Sequence, residues 1–347
     1  MRRALLPAAL AAAILTAAGH AAPAAAQSDI LLRLRSGSPL GDRFRVDSAS
    51  GFVAKGVLGV GIIPFTGAGE RLMWHPNKAA FRAGSIGSAG TQWDDPNTGY
   101  YTWAGGYNTI ALGLASFAMG YQSTALNSYA VALGYTANAD GTGAVALGYR
   151  VTADADYSVA IGQRASTNGH AGAIVLSDGS TTDSTQASAN NQFSVRAAGG
   201  IRLFTNATMT TGVQVAAGGS SWAVISDRNR KEGFLAVDGE DVLARLRFVP
   251  VTTWRYRDEA DRSTLHIGPM AQDWHRAFGF TTDDRTINMS DFDGVNLAAI
   301  KALEARTATL QADNAALREE NAALHAENRR IEERLERLEA LAGGRKP

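Results

Sequence analysis

Between residues 100 and 169 small and bulky apolar residues alternate in short runs, each ending near a glycine, and the alternation restarts every fourteen residues. The five blocks read YYTWAGGYNTIALG, LASFAMGYQSTALN, SYAVALGYTANADG, TGAVALGYRVTADA and DYSVAIGQRASTNG. Their fifth position is always alanine (Ala104, Ala118, Ala132, Ala146, Ala160), and their seventh always glycine (Gly106, Gly120, Gly134, Gly148, Gly162). The eighth is Tyr107, Tyr121, Tyr135 and Tyr149, then Gln163, and the twelfth is Ala111, Ala125, Ala139 and Ala153, then Thr167. Period-two alternation predicts strands. A glycine fixed near the strand end marks positive φ or a tight backbone contact. A repeat this short accommodates one coil of two short strands, so the pattern predicts a stacked solenoid. At about 4.8 Å between neighbouring strands, the coils would build a rod about 24 Å tall. Both strand faces are apolar but a slender coil has one interior, so the second face is expected to meet identical neighbours.

From Leu303 the period becomes seven: Leu303, Leu310, Leu317, Leu324, Ile331 and Leu338, each preceded three residues earlier by Ile300, Thr307, Asn314, Asn321, Asn328 and Leu335. This heptad predicts a parallel coiled coil with an aliphatic d seam and polar a positions. Asp313 with Arg318 and Arg334 with Glu339 suit parallel pairing, whereas Glu327 opposes Glu332. The asparagines sacrifice stability, fix register and lean towards dimers.

Between the two periodic segments, VDGEDVLARLRF predicts a helix capped by Asp238, with Val242, Leu243 and Leu246 on one face. VPVTTWRYR reads as a strand and PMAQDWHRAFGF as a second helix, together a small α+β domain. Residues 28–99 read as short strands between Gly, Pro and Asn turns, where Trp74, His75 and Trp93 either form an aromatic binding patch or pack a β-cap over the solenoid end. Residues 170–222 read as a turn-rich β stalk, with a hairpin around Gly199 and Gly200 and a short GGSS neck.

The length of 347 residues allows two or three domains, and a formal net charge of zero argues against general attraction to nucleic acid or anionic lipid. Cysteine is absent and the six histidines show no ligand spacing, so no metal and no cofactor is expected. Arg2 and Arg3, the apolar run 4–18 and Ala24, Ala25 and Ala26 before Gln27 read as a secretory signal. No other run reaches spanning length, and no C-terminal series of amphipathic strands suggests an outer-membrane barrel. The expected location is secreted, extracellular or at the cell surface, without an integral membrane anchor.

One dense polar knot interrupts this texture, AVISDRNRKEGF at 223–234. On these residues alone, Ser226 and Asp227 read as a helix cap and Lys231 with Glu232 as a solvated pair. Two resemblances enlarge that reading. The VALGY and VAIGQ cores resemble the left-handed β-roll head of trimeric autotransporter adhesins (YadA-like heads) over about seventy residues, which implies a parallel homotrimer but names no ligand. The trimer sits in tension with the asparagines at a. Further on, SDRNRK, VLARLRFVPVTTWRY, IGPMAQDW and the run into a helical C-terminus resemble the intramolecular chaperone domain of phage endosialidases and tail spikes, over residues 223–345. That resemblance implies a domain that trimerises, guides folding of the fibre before it and then cuts itself off. Cleavage in that family falls before the serine of the SD pair, using that serine and a lysine five residues on. Carried over, these are Ser226 and Lys231, with Ile225–Ser226 as the scissile bond. Asp227, Gly268, Ala271 and Gln272 match the family's motifs, Asp273 stands where glutamate is usual, and Pro269 departs from the pattern.

A serine hydroxyl needs a base, and lysine serves only as the neutral amine, which cationic neighbours or burial favour. Arg228 and Arg230 are the residues placed to act on Lys231 in this way, while Asp227 and Glu232 oppose them. The expectation is a mainly β, fibrous homotrimer made of a left-handed parallel β-roll solenoid, a small α+β chaperone domain and a C-terminal parallel coiled coil. Its segments are a signal peptide (1–26), a β-rich cap (27–99), the β-roll (100–169), a stalk and neck (170–222), the chaperone (223–296) and the coiled coil (297–340). The expected partners are further copies of the chain and a cell-surface, glycan or matrix ligand. Alternatives are a fibre that binds or hydrolyses polysaccharide, a prophage fibre, and a permanently trimerised spacer that is never cut. A solenoid hydrolase would display paired carboxylates on one face, and Asp140, Asp154 and Asp156 instead fall at repeat edges.

Overall fold

The computed structural model describes residues 30–36, 41–48, 51–280 and 282–343; the expected signal peptide lies outside them. The described residues form two compact units, one of those up to Ile201 with Val215–Ser221, the other of Arg202–Gln214 with those from Trp222 on.

In the first unit the fourteen-residue repeat becomes a parallel β-solenoid. Each coil contributes a long strand, such as Val131–Tyr135 and Val145–Tyr149, and a short one, such as Asn138–Ala139 and Thr152–Ala153. Long strands stack in register at the period of the sequence: Val131 on Val145, Ala132 on Ala146, Leu133 on Leu147, Gly134 on Gly148 and Tyr135 on Tyr149. They form one nine-stranded sheet and the short strands a six-stranded one. Interior positions hold mostly small residues, with Val151 the larger exception. Ala132, Ala139, Ala146 and Ala153 are fully buried, together with Thr102, Ser116, Ala130, Ala144 and Ser158 at the third position. With the two sheets this close, a methyl or a hydroxyl fills the space between them. Some interior hydroxyls bond to backbone, as Ser123 Oγ does to the Gly134 carbonyl at 3.0 Å, whereas those of Thr109 and Ser116 find no partner among the described residues.

The constant glycine follows from the stacking distance. Gly134 has φ 133°, and a Cβ there would lie 2.0 Å from the carbonyl oxygen of Gly148 in the next coil. Both the conformation and the space exclude a side chain. A second regularity had no sequence signature. The second and ninth positions turn the chain through left-handed backbone in non-glycine residues, including Tyr129 (φ 64°), Thr136 (46°), Arg150 (53°) and Tyr157 (57°). Their N–H groups donate to the coil before, Tyr129 to the Leu114 carbonyl and Thr136 to that of Tyr121, both at 2.7 Å.

The two outer faces differ. The long sheet presents Phe117, Val131, Val145 and Val159 beside Met119, Leu133, Leu147 and Ile161, all partly exposed. The short sheet presents Ile110 in its first coil and then Thr124, Asn138, Thr152 and Ser166. From the second coil on, the outward apolar strand column therefore lies on the long sheet. At its margin Tyr107, Tyr121, Tyr135 and Tyr149 form a ladder with ring centroids 4.9–5.0 Å apart.

The stacking outlasts the recognisable repeat. Strands Ile174–Ser177 and Phe193–Arg196 continue the long sheet, and Thr185–Gln186 the short one. The hairpin expected around Gly199 and Gly200 does not form. Phe193–Arg196 instead pairs with the open edge of the preceding coil, and Ile201–Phe204 joins a separate three-stranded sheet. At the other end the hairpin Gly69–His75 and Ala80–Ile86 extends the long sheet by pairing in parallel with Trp103–Tyr107. Trp93 and His75 are fully buried there. Trp93 Nε1 donates to the Thr109 carbonyl at 2.9 Å, and His75 Nε2 lies 2.9 Å from Asp95 Oδ1. These two residues pack the solenoid end and are not available as a surface patch. Buried Arg82 donates to Thr102 Oγ1 and the Ala111 carbonyl, and burial pulls its guanidinium below the ordinary arginine range.

The second unit packs helices α1 (Gly239–Leu246), α2 (Ala271–Phe278) and α3 (Met289–Gly343) around Val242, Val249, Trp274, Val295 and Ala299. Asp238 caps α1 by accepting from the Glu240 and Asp241 N–H groups, as the sequence predicts. Thr252–Trp254 and His266–Gly268 form a two-stranded antiparallel sheet. α3 starts well before the first heptad leucine because its opening turns supply Phe292, Val295 and Ala299 to the core. Along the rest of α3 the seam from Leu303 to Leu338 is about half exposed on the single chain, at 47–61%.

Candidate active site

The polar knot lies between a short β-ladder and a tight turn. Upstream, Ala223–Val224 pairs antiparallel with Gly212–Val215, Val224 opposite Val213 and Ala223 opposite Gln214. The ladder ends where the Ile225 N–H donates to the Gly212 carbonyl at 3.1 Å. Downstream, Asp227 caps a single 3-10 turn, Arg228–Arg230. Its Oδ1 accepts from the Asn229 N–H at 2.9 Å and from Asn229 Nδ2 at 3.1 Å. The Arg230 N–H donates to the Asp227 carbonyl and the Lys231 N–H to the Arg228 carbonyl, at 3.1 and 3.2 Å.

That turn folds Lys231 back onto Ser226, where Nζ donates to Oγ at 2.6 Å. Both side chains are solvent-exposed on the single chain, and Ile225 is half-buried. The Arg228 guanidinium sits over the Phe234 ring, 5.3 Å from its centroid; Arg230 is exposed. Asp227 is thus the cap expected of a bland Ser-Asp pair, and in the same turn Ser226 and Lys231 meet.

The remaining motif residues gather elsewhere in the unit. Gly268 ends a strand opposite Thr252, and Ala271 and Gln272 open α2. With Trp254, Ile287 and Phe292 they line an apolar groove of about 600 Å³. Pro269 is accommodated in the extended chain before Met270, the N-cap of α2. Sequence reasoning had no route to Gly212, whose bond to Ile225 depends on a strand pairing thirteen residues apart in the chain.

The solenoid carboxylates hold turns. Asp154 Oδ1 accepts from Thr167 Oγ1 at 2.7 Å and the Gly169 N–H at 2.8 Å, and Asp156 Oδ1 from the Thr142 N–H at 2.7 Å. Burial, then the charge of Asp154 in the next coil, pushes the Asp140 carboxyl above its ordinary range. With Asp154 and Asp156 engaged in turn bonds, this set gives no support to a hydrolytic pair. Among the described residues no helix is long and apolar enough to cross a membrane, and no three side chains are grouped to hold a metal ion.

Two family models match the chain. Residues 104–165 match the YadA head domain repeat in overlapping copies, 104–126, 111–137, 127–150 and 139–165. Residues 226–281 match the chaperone of endosialidase, beginning at Ser226. No curated protein and no solved structure matches. Both families imply self-association into trimers, and YadA-like heads are cell-surface or extracellular parts. The chain therefore joins a YadA-type adhesin head, built as a parallel β-solenoid, to an endosialidase-type chaperone followed by a long helix, the architecture of a trimeric adhesin or tail-fibre-like protein.

Proposed function

We propose that this protein is a secreted, trimeric adhesin-like fibre whose C-terminal chaperone drives trimer folding and then cuts itself off at the Ile225–Ser226 bond. The observation that carries the cleavage is the 2.6 Å contact between Lys231 Nζ and Ser226 Oγ. This contact supports the reading of Lys231 as the base for the Ser226 hydroxyl next to the Ile225 carbonyl.

In the reaction Lys231, as the neutral amine, takes the Ser226 Oγ proton, and Oγ adds to the Ile225 carbonyl carbon. The tetrahedral intermediate collapses with rupture of the C–N bond. The electron pair stays on the Ser226 nitrogen, which receives the proton back from Lys231. An ester then links the Ile225 carbonyl to Ser226 Oγ. Water hydrolyses it to an Ile225 carboxyl group and a free Ser226 hydroxyl. One water is consumed and no cofactor is required. Ser226 becomes the N-terminus of the released piece, so each chain reacts once.

Arg228 and Arg230 favour the neutral lysine where assembly desolvates the turn. Ser226 and Lys231 are exposed on the single chain, and we tie cleavage to the trimer, where neighbouring copies desolvate the turn. The 1–26 segment directs export, and the head contacts a cell-surface, glycan or matrix ligand.

The test is intact mass with N-terminal sequencing of the purified chain beside Ser226→Ala and Lys231→Ala. A fragment beginning at Ser226 in the wild type, and in neither variant, is the expected result. A trimeric, folded but uncut wild type would instead make the module a permanent trimerisation clamp.

A further inference from the structure

We infer that the Ile225–Ser226 bond is held from both sides by two positioning residues outside the Ser/Lys pair: Gly212 upstream and Asp227 downstream. The inference rests on the self-cleavage reading above and adds the parts that set its geometry. Intramolecular attack requires Ser226 Oγ to stay against the Ile225 carbonyl while Lys231 Nζ stays on Oγ, and small misplacements cost orders of magnitude in rate.

Downstream, five residues of extended chain would carry Lys231 about 16 Å from Ser226. The capped turn removes that separation. Its closure relies on the Asp227 carboxylate, which accepts both the Asn229 N–H and the Asn229 side-chain amide. Asp227 touches neither Lys231 nor Ser226 Oγ in these bonds, so its action runs through the turn.

Upstream, the scissile residue hangs from the sheet by one bond, Ile225 N–H to the Gly212 carbonyl at 3.1 Å. Gly212 has φ 153°, and a Cβ there would lie 2.0 Å from the Leu203 carbonyl oxygen in the neighbouring strand. Only glycine lets that strand lie so close while turning its carbonyl to Ile225. Gly212 falls on the fibre side of the cut, yet belongs with Leu203 to the same compact unit as the chaperone. Cleavage then leaves the fibre ending at the last residue bonded to this sheet.

The experiment follows cleavage of pulse-labelled full-length chain over a range of pH, with trimer content measured alongside. Asp227→Ala should slow cleavage about tenfold without moving the pH midpoint, because a lost cap loosens the turn. Asp227→Asn keeps an acceptor oxygen and should restore the rate to within about threefold of wild type. A charge acting directly on the lysine would instead make Asn as damaging as Ala and would shift the midpoint, and that result overturns the role given to Asp227. Gly212 is examined in the Ser226→Ala background, which cannot cut. There the Ile225 amide should be protected from hydrogen exchange, and Gly212→Ala should raise its exchange about tenfold or more. Unchanged exchange in a folded trimer overturns the upstream half. An uncut wild type is a different failure, that of the self-cleavage reading itself.

Discussion

Two glycines in adjacent coils differ in what they require. Gly134 combines φ 133° with a virtual Cβ 2.0 Å from the Gly148 carbonyl oxygen, so alanine there must push two coils apart. Gly143 has φ 65° and would meet only the ring edge of Tyr157, at 3.1 Å. That ring is 71% exposed and free to move, and Tyr129 and Tyr157 occupy the same position in adjacent coils with φ 64° and 57°. Gly134→Ala should destabilise the first unit by about 3 kcal/mol, whereas Gly143→Asn should stay within about 1 kcal/mol of wild type. Thermal unfolding of the two variants side by side checks the contrast; equal losses would refute it. The glycine column was legible because only one residue type satisfies it. The left-handed second and ninth positions were not, because Tyr, Thr, Arg, Asn and Gln all serve and the stack, not the side chain, imposes the conformation. The same distinction runs through the site. Ser226 and Lys231 were legible through their spacing and family motif, while Gly212 became visible only once the strands had paired.

α3 combines two roles that its sequence separates. The heptad of leucines announces a self-associating seam, but the opening turns of the helix are set by packing on α1 and α2, where Val295 and Ala299 fill the core. Gly294 lowers intrinsic helicity at that point, so the start at Met289 could not be read from propensity. Along the seam the polar a positions bond within their own helix: Asn314 Nδ2 donates to the Leu310 carbonyl and Thr307 Oγ1 to that of Leu303, both at 2.8 Å. Replacing Asn314 and Asn321 together by isoleucine removes two polar layers and should raise the melting temperature of the helical signal by several degrees in circular dichroism. No change, or a fall, would mean that these side chains do not face the seam. Where α1 meets α3, Arg306 donates to Glu240 with both arms of its guanidinium, Nε to Oε1 at 2.9 Å. This bond, more than the accompanying charge attraction, holds the Glu240 carboxyl below its ordinary range. A depressed carboxylate contributes stability above its unfolded pKa and loses it as pH falls through the folded one. Wild type should therefore exceed Glu240→Gln in denaturant resistance at neutral pH, and the gap should close in acid below the usual glutamate range. High salt should narrow it too, since the pair is exposed.

At the scale of the whole molecule, each unit leaves apolar surface that its own fold does not cover. The second unit leaves the α3 seam, and the first leaves the outer face of the long sheet. An interior of mostly small residues, with Val151 in one coil, closes the stack, so the bulky residues at the fourth and sixth positions of the repeat were free to face outward. They are partly exposed column by column, while the short sheet, after Ile110 in the first coil, faces outward with Thr, Asn and Ser. This asymmetry distinguishes a surface for other copies from a surface for water. It yields a paired prediction. Leu133→Lys with Leu147→Lys places two charges on the apolar column, and Asn138→Lys with Thr152→Lys places two on the polar one. Neither pair enters the interior, so each coil should still close. The leucine pair should leave the head protease-sensitive and reduce its association in sedimentation, because a buried unpaired lysine is costly at an interface. The polar pair should behave as wild type. The yield of chain cut at Ser226 then measures what the chaperone senses. If cleavage waits for the assembled fibre, it falls only in the leucine pair. If the chaperone trimer alone closes the site, both pairs are cut at the wild-type yield even where the head has failed to assemble.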